Sequence, residues 1–336
     1  MPKKDNSNKK YPNLISSYLI KDSYSDYYID NSFIIINSIN KILYLIYSTD
    51  NKSIISFDLI NNKKINEIKN AHKENISNFR SSFDKINKRD LIISISPTDR
   101  NVKLWNMKNW ECLYNFLELY KDGYLRTACF LNYNEKIYIA TSHFKMTTNE
   151  PIIIFDLKGK KLKTINDSKA NTYFIDSYLD EEKSKMYIIS ANRGYTRSYD
   201  YNNNQPYYKY CDNDPERDHH SFIMYIKDGI LQLIDSCEDG NIRIWNFHSG
   251  IQLNKIRTNN GCLYGISFWD NDLLFVGCSK KTIISIDLIT GKIINIYYDH
   301  KNAVLTVKVI NHPKLGKCLL SQAWLKGSII KWENSK

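Results

Sequence analysis

CEDGNIRIWN, residues 237–246, reads as a tight turn followed by a short alternating strand that ends in a tryptophan and an amide. PTDRNVKLWN, residues 97–106, has the same layout. The closing hexapeptides of these two stretches, NIRIWN and NVKLWN, return in five variants: SIISFD (53–58), PIIIFD (151–156), YTRSYD (195–200), TIISID (282–287) and SIIKWE (328–333). The large residue of each copy falls at Phe57, Trp105, Phe155, Tyr199, Trp245, Ile286 and Trp332, at spacings of 48, 50, 44, 46, 41 and 46. A near-constant period of this length marks a repeat architecture, in which one supersecondary unit is used again and again.

The surroundings of each copy repeat as well. A β-branched run precedes it, as at 91–95, 230–234 and 273–276, and a turn follows, as at 60–62, 157–159, 202–204, 247–250 and 288–291. A second alternating run comes next, as at 65–68, 253–256 and 293–297. Short strands at regular spacing with turn signals between them predict an all-β fold. The whole chain has 336 residues, 42% apolar and 13% aromatic, enough to bury a sizeable core. Its longest uninterrupted apolar run, residues 42–47, is too short for a membrane-spanning helix. The N-terminus, MPKKDNSNKKYP, has no apolar segment of a secretory signal. Seven cysteines without a C-x-x-C pair argue for a reduced compartment, cytoplasmic or nuclear.

The turn-plus-strand pattern of residues 97–106 and 237–246 resembles the signature of the WD-repeat family, with Asn where that family usually has Asp after Trp. The family's Gly-His dipeptide lacks its Gly here, but His72, His220 and His300 stand 33, 25 and 32 residues before Trp105, Trp245 and Trp332. The resemblance covers about residues 13–333. It implies a seven-bladed β-propeller of four-stranded antiparallel blades, each unable to bury both faces alone. The seventh hexapeptide ends at Glu333, so its blade has no fourth strand after it; the β-patterned run at 14–20 is expected to supply that strand and close the ring. The domain reading is a polar tail at 1–12 and a single propeller at 13–336.

The resemblance also implies hydrogen-bonded tetrads inside the blades. His72, Ser94, Asp99 and Trp105 form one candidate set; His220, Ser236 or Asp235, Asp239 and Trp245 form a second. His300, Ser321 and Trp332 form a third with Lys326 where the Asp would stand. A Ser-His-Asp set invites comparison with a catalytic triad, but these sets read as structural, because buried polar groups require such partners. Cys211, His219 and His220 with Asp212, Asp214 and Asp218 match no zinc spacing, so neither metal nor cofactor is expected. No P-loop, dinucleotide fingerprint, nucleophile elbow or H-E-x-x-H motif is present, and the chain is read as a non-enzyme. The strings at 79–81 and 193–194 do not match the F-R-R-G motif of lipid-binding propellers, and no Arg follows the Trp-Asn pairs as in ubiquitin-ligase receptors.

In the resembled family, proteins dock most often at the channel rim, on residues flanking the start of each innermost strand. That places Tyr124, Arg126, Tyr173 and Tyr264 at a partner-binding surface, with Trp324 joining them from the turn before the last hexapeptide. Tyr, Trp and Arg are the side chains that dominate interface hot spots. The expected function is therefore a protein-interaction scaffold. The alternative is a nucleic-acid or ribonucleoprotein-associated propeller, motivated by a net charge of +11. The cations are mostly Lys, and Ile, Asn, Lys and Tyr, which share AT-rich codons, make up about 44% of the chain, so the basic balance reflects composition as much as selection. The opposite face, with Lys63, Lys64, Lys85, Lys88, Arg89, Lys108, Lys158, Lys160, Lys161, Lys314 and Lys317 in its turns, is expected to be the more basic one.

Overall fold

The protein is seen in a computed structural model that describes residues 11–25, 32–39, 42–50, 52–116, 124–144, 152–165, 171–212 and 216–335. These residues form a seven-bladed β-propeller, each blade built from four antiparallel strands. Among the described residues there is no helix, and so none long and apolar enough to cross a membrane. Blades 1 to 6 occupy residues 33–68, 78–116, 124–165, 172–210, 219–257 and 263–297. Blade 7 combines residues 304–334 with 14–25.

The innermost strands, such as Asn78–Asp84, Thr172–Asp180 and Val304–His312, surround the central channel. The second and third strands are almost wholly buried, as in Leu43–Ser48 and Asn101–Asn106. The fourth strands, such as Gln252–Arg257, are largely exposed. Burial on both faces explains why second strands such as Leu43–Ser48 are nearly continuous apolar runs.

Each hexapeptide meets two physical demands. Its large side chain fills the space between its own blade and the one before. Phe57, Trp105, Phe155, Tyr199, Trp245, Ile286 and Trp332 each belong to a different apolar cluster, one for each of the seven blade junctions. The Asp or Asn that follows caps the next turn, because its side-chain oxygen accepts backbone N–H groups two or three residues on. Asp58 Oδ1 accepts from Ile60 and Asn61 at 2.9 and 3.0 Å, and Asp287 Oδ1 from Ile289 and Thr290 at 2.8 and 2.9 Å. Asn106, Asp156, Asp200 and Asn246 make the corresponding bonds. An amide oxygen serves as well as a carboxylate, so Asn and Asp interchange at this position. The turns close through left-handed residues, among them Asn62 at φ 51° and Gly250 at φ 67°, types that tolerate this region.

Blade 7 has no such turn after Trp332 and Glu333. Its outer neighbour is the strand Leu14–Ser25, which runs antiparallel to Leu325–Asn334 with Ser16 opposite Trp332. The expected closure by residues 14–20 is therefore present, and the strand extends five residues further. Its end pairs with blade 1 at Tyr24 and Ser48, which joins the first and last blades into one sheet. The tail read from the sequence at 1–12 ends in two residues that touch the ring. The Tyr11 hydroxyl donates to Asp287 Oδ2 at 2.5 Å, and the buried Pro12 carbonyl accepts from Tyr297 and Asn295 at 3.3 and 3.2 Å. Tyr11 and Pro12 thus belong to the ring and extend the latch from blade 7 to blade 6; a polar sequence gave no sign of it because the contact is one hydroxyl and one carbonyl.

Deleting residues 1–21 should lower the melting temperature of the whole ring, because it removes most of a ladder strand and bares an edge. Deleting 1–10 should not; equal melting of the 1–21 deletion and the full chain would show that this strand is no latch. Asp58→Ala and Asp200→Ala should each cost about 1–2 kcal/mol in denaturant unfolding. The corresponding Asn variants should retain most of that stability.

Candidate functional site

In blade 2 the four nominated residues are joined. Ser94 Oγ accepts from Trp105 Nε1 at 2.9 Å and bonds His72 Nε2 at 2.7 Å, while His72 Nδ1 meets Asp99 Oδ2 at 3.3 Å. Asp99 also accepts the Lys73 N–H at 3.0 Å. Ser94 is fully buried, and its hydroxyl binds both His72 and Trp105, so the group ties strand, turn and blade connection together and offers no accessible nucleophile. Burial holds His72 below its ordinary pKa, opposed by Asp99. In blade 7, Ser321 Oγ bonds His300 Nε2 and accepts from Trp332 Nε1, both at 2.7 Å, which makes the expected set of three.

Blade 5 departs from expectation at two positions. The histidine in the set is His219, whose Nδ1 lies 3.1 Å from Asp235 Oδ2; Trp245 Nε1 donates to the same oxygen at 3.0 Å. Asp235, not Ser236, takes the serine's place. It stands two residues after Leu233, the residue opposite Trp245, as Ser94 and Ser321 stand two after Ile92 and Leu319. The turn here is one residue shorter than in blade 2, so counting back from the Trp misplaces it by one. Asp239 does not join the set. It accepts from Asn241 and from both terminal nitrogens of the buried Arg243, whose Nε donates to Asp212 at 2.8 Å.

His220 is turned away because the ladder slips between His219 and Ser221. An extra residue in one strand redirects its side chain to the other face. His220 instead lines a cavity of about 560 Å³ at the channel mouth, and Arg126, Tyr173, Tyr264 and Trp324 line the same cavity. Four of the five residues nominated for partner binding are thus brought together. The fifth, Tyr124, begins the strand Tyr124–Tyr133, but its side chain lies outside the described residues. Tyr173 and Tyr264 are 9% and 4% exposed, so they form walls rather than a projecting rim. Their rings stand 5.5 and 4.9 Å from the His220 ring, and the Arg126 guanidinium lies 4.8 Å above Tyr173. Burial and hydrogen bonding to Asp218 raise the Tyr173 hydroxyl well above its ordinary pKa. Burial, reinforced by Arg126 and His219, depresses the His220 imidazole to about 3, so it is neutral near pH 7. Its Nδ1 has no hydrogen-bond partner among the described residues, a deficit that typically costs about 1–3 kcal/mol.

Sequence reasoning missed Glu238 and Lys281 at this cavity. They sit in turns and blade connections, where strand alternation carries no information about direction.

On the opposite face the eleven nominated cations all come from blades 7, 1, 2 and 3, a contiguous arc. Over blades 4 to 6 the same turns carry Glu181, Glu182, Asp228, Asp270 and Asp272. Those carboxylates stand beside Lys183, Lys185, Lys227 and Lys292, so the nominated cations form an arc rather than a full ring. The Cys211 to His220 segment gathers no metal ligands among the described residues; His219 is held by Asp235, and Asp212 by Arg243 and Lys255.

The geometry defines the class of molecule, a seven-bladed propeller with a polar and aromatic cavity at one channel mouth. No protein-family model matches the chain, and no curated protein matches it in sequence.

Buried neutral histidines make stability depend on pH. His220 is depressed to about 3 and His300 to about 4, both by burial first. Below about pH 6.5 the unfolded chain takes up protons that the folded ring refuses. Stability should therefore fall as pH drops from 6.5 toward 4, by about 1.4 kcal/mol per unit for each such histidine. Urea unfolding across this range should show the slope, and His300→Gln should make it shallower.

Proposed function

We propose that this propeller is a member of the WD-repeat family and a non-catalytic scaffold that docks partner proteins over the channel mouth bearing His220. The observation that carries the reading is the convergence of Arg126, Tyr173, Tyr264 and Trp324 on one cavity. Aromatic walls and a guanidinium in a partly closed pocket are the features that concentrate binding energy at protein interfaces. All seven cysteines are free thiols, which supports work in a reducing compartment, the cytoplasm or the nucleus.

A second reading, a nucleic-acid-associated propeller, draws on the basic arc over blades 7 and 1 to 3. RNA retention that falls steeply with salt and is lost on replacing Lys63, Lys64, Lys85 and Lys88 by Glu would favour it.

The docking reading is tested by affinity capture from the native cell with mass spectrometry, using full chain and Arg126→Ala. Arg126 is half-buried, so the substitution should leave the ring folded while reducing recovery of the main partner about tenfold. Unchanged recovery with the variant and with Trp324→Ala would remove the channel mouth as the docking surface.

A further inference from the structure

The hydrogen-bonded sets of blades 2 and 7 are alike except in one member. In blade 2, Asp99 Oδ2 accepts from His72 Nδ1 at 3.3 Å and from the Lys73 N–H at 3.0 Å. Asp99 stands five residues after Ser94; five residues after Ser321 stands Lys326. Blade 7 nonetheless keeps both donors. The Ser321 hydroxyl has two partners, the Trp332 indole N–H, which only donates, and His300 Nε2. The hydroxyl proton therefore goes to Nε2, and the neutral imidazole carries its own proton on Nδ1. His300 is 7% exposed; its Nδ1 keeps accessible surface and has no partner among the described residues. The Lys301 N–H, the counterpart of that of Lys73, has none either.

Beside these two donors lies a cavity of about 400 Å³, lined in part by Lys21, Asp299, His300, Lys301 and Gly327. It opens where the closing strand slips in register between Ile20 and Ser23. Lys21 lies in that slip and, like Lys301, is exposed with no ion-pair partner among the described residues. The lining carboxylate, Asp299, accepts from Ser16 Oγ of the same strand, so two cations stand around the cavity against one engaged anion. In blade 2 the acceptor in the corresponding place is a carboxylate, and Lys103 favours its charge.

We propose that this cavity binds a carboxylate supplied by another molecule, one oxygen of which accepts from His300 Nδ1 and the Lys301 N–H with Lys21 beside it. The missing member of the blade 7 set is then provided from outside. The template is a single carboxylate oxygen, and no Arg fork lines the space to suit a phosphate.

The full chain labelled with ¹⁵N-histidine is titrated at constant ionic strength with acetate, acetyl-Gly-Glu-Gly-amide, its Gln counterpart and inorganic phosphate. The His300 ring signals are assigned by their loss in His300→Gln. Should that variant fail to fold, Lys326→Asp identifies the same signals by moving them without ligand. Acetate or the Glu peptide should shift the His300 Nδ1 signal, and the Gln peptide should bind about tenfold more weakly. Lys21→Ala should weaken carboxylate binding about threefold. Lys326→Asp, which puts a carboxylate at Asp99's place in the blade, should raise the melting temperature by about 2 °C and abolish the response. A stronger response to the Glu peptide than to acetate assigns the site to an acidic side chain of a partner, and the reverse to a free acid. An unmoved His300 signal at about 20 mM of both overturns the proposal. Equal affinities for the Glu and Gln peptides, tighter binding of phosphate than of acetate, or full carboxylate binding by Lys326→Asp do the same.

Discussion

The large side chain of each hexapeptide is buried against the blade before it, and this contact makes every blade depend on its neighbour. Trp332 lies with Phe275 and Tyr297 of blade 6, Trp245 with Tyr187 and Tyr210 of blade 4, and Trp105 with Tyr44 and Ile46 of blade 1. A four-stranded meander has two apolar faces and no way to cover both, so the chain of contacts is stable only when it returns to its start. The junction between blades 7 and 1 is where that return happens. Phe33, Leu45 and Phe57 meet Ile310, Leu320 and Ile329 there, and Leu19 and Ile20 of the closing strand pack on the same cluster. Ring closure therefore combines an apolar junction with a ladder of hydrogen bonds, and neither resembles a loose terminus.

Closure has a consequence for the channel mouth. The walls of the cavity come from the starts of innermost strands in blades 3 to 6, together with the connections beside them and a turn of blade 7. Each strand start is fixed by the junctions on either side of its blade. Arg126, Tyr173, His220 and Tyr264 are thus held by the ring and not by any single blade, the kind of preorganisation that keeps an interface from losing affinity to ordering.

Much of this was legible in the sequence, and the reason is repetition. A large residue and an Asx cap are required at the same place in every blade, so seven weak local signals reinforce one another at a fixed spacing. The closing strand was legible because its partner, SIIKWE, ends without the turn that follows the other six hexapeptides. Features that occur once were not legible. Tyr11 on Asp287 depends on a contact across 276 residues, with no counterpart in another blade. For the serine's place in blade 5 the sequence left Ser236 and Asp235 both open, and the register opposite Trp245, which turn length conceals, selects Asp235.

The His219-His220 pair sits at a ladder slip that recurs at the start of the innermost strands of blades 3, 4 and 7; what occurs once is the imidazole placed there. Two adjacent side chains in a regular strand face opposite ways, but the slip between His219 and Ser221 sets this pair apart from the strand that follows. His219 spends its ring on Asp235 inside the fold, where Trp245 and Thr196 reach the same carboxylate oxygen. His220 is left facing the channel, 5% exposed and neutral, with aromatic rings on two sides. Stability alone gives no reason to bury an imidazole there; an apolar side chain of similar size would fill the space without an unmet nitrogen. A buried nitrogen with no partner is a cost that the packing of Tyr173 and Tyr264 against the His220 ring must offset.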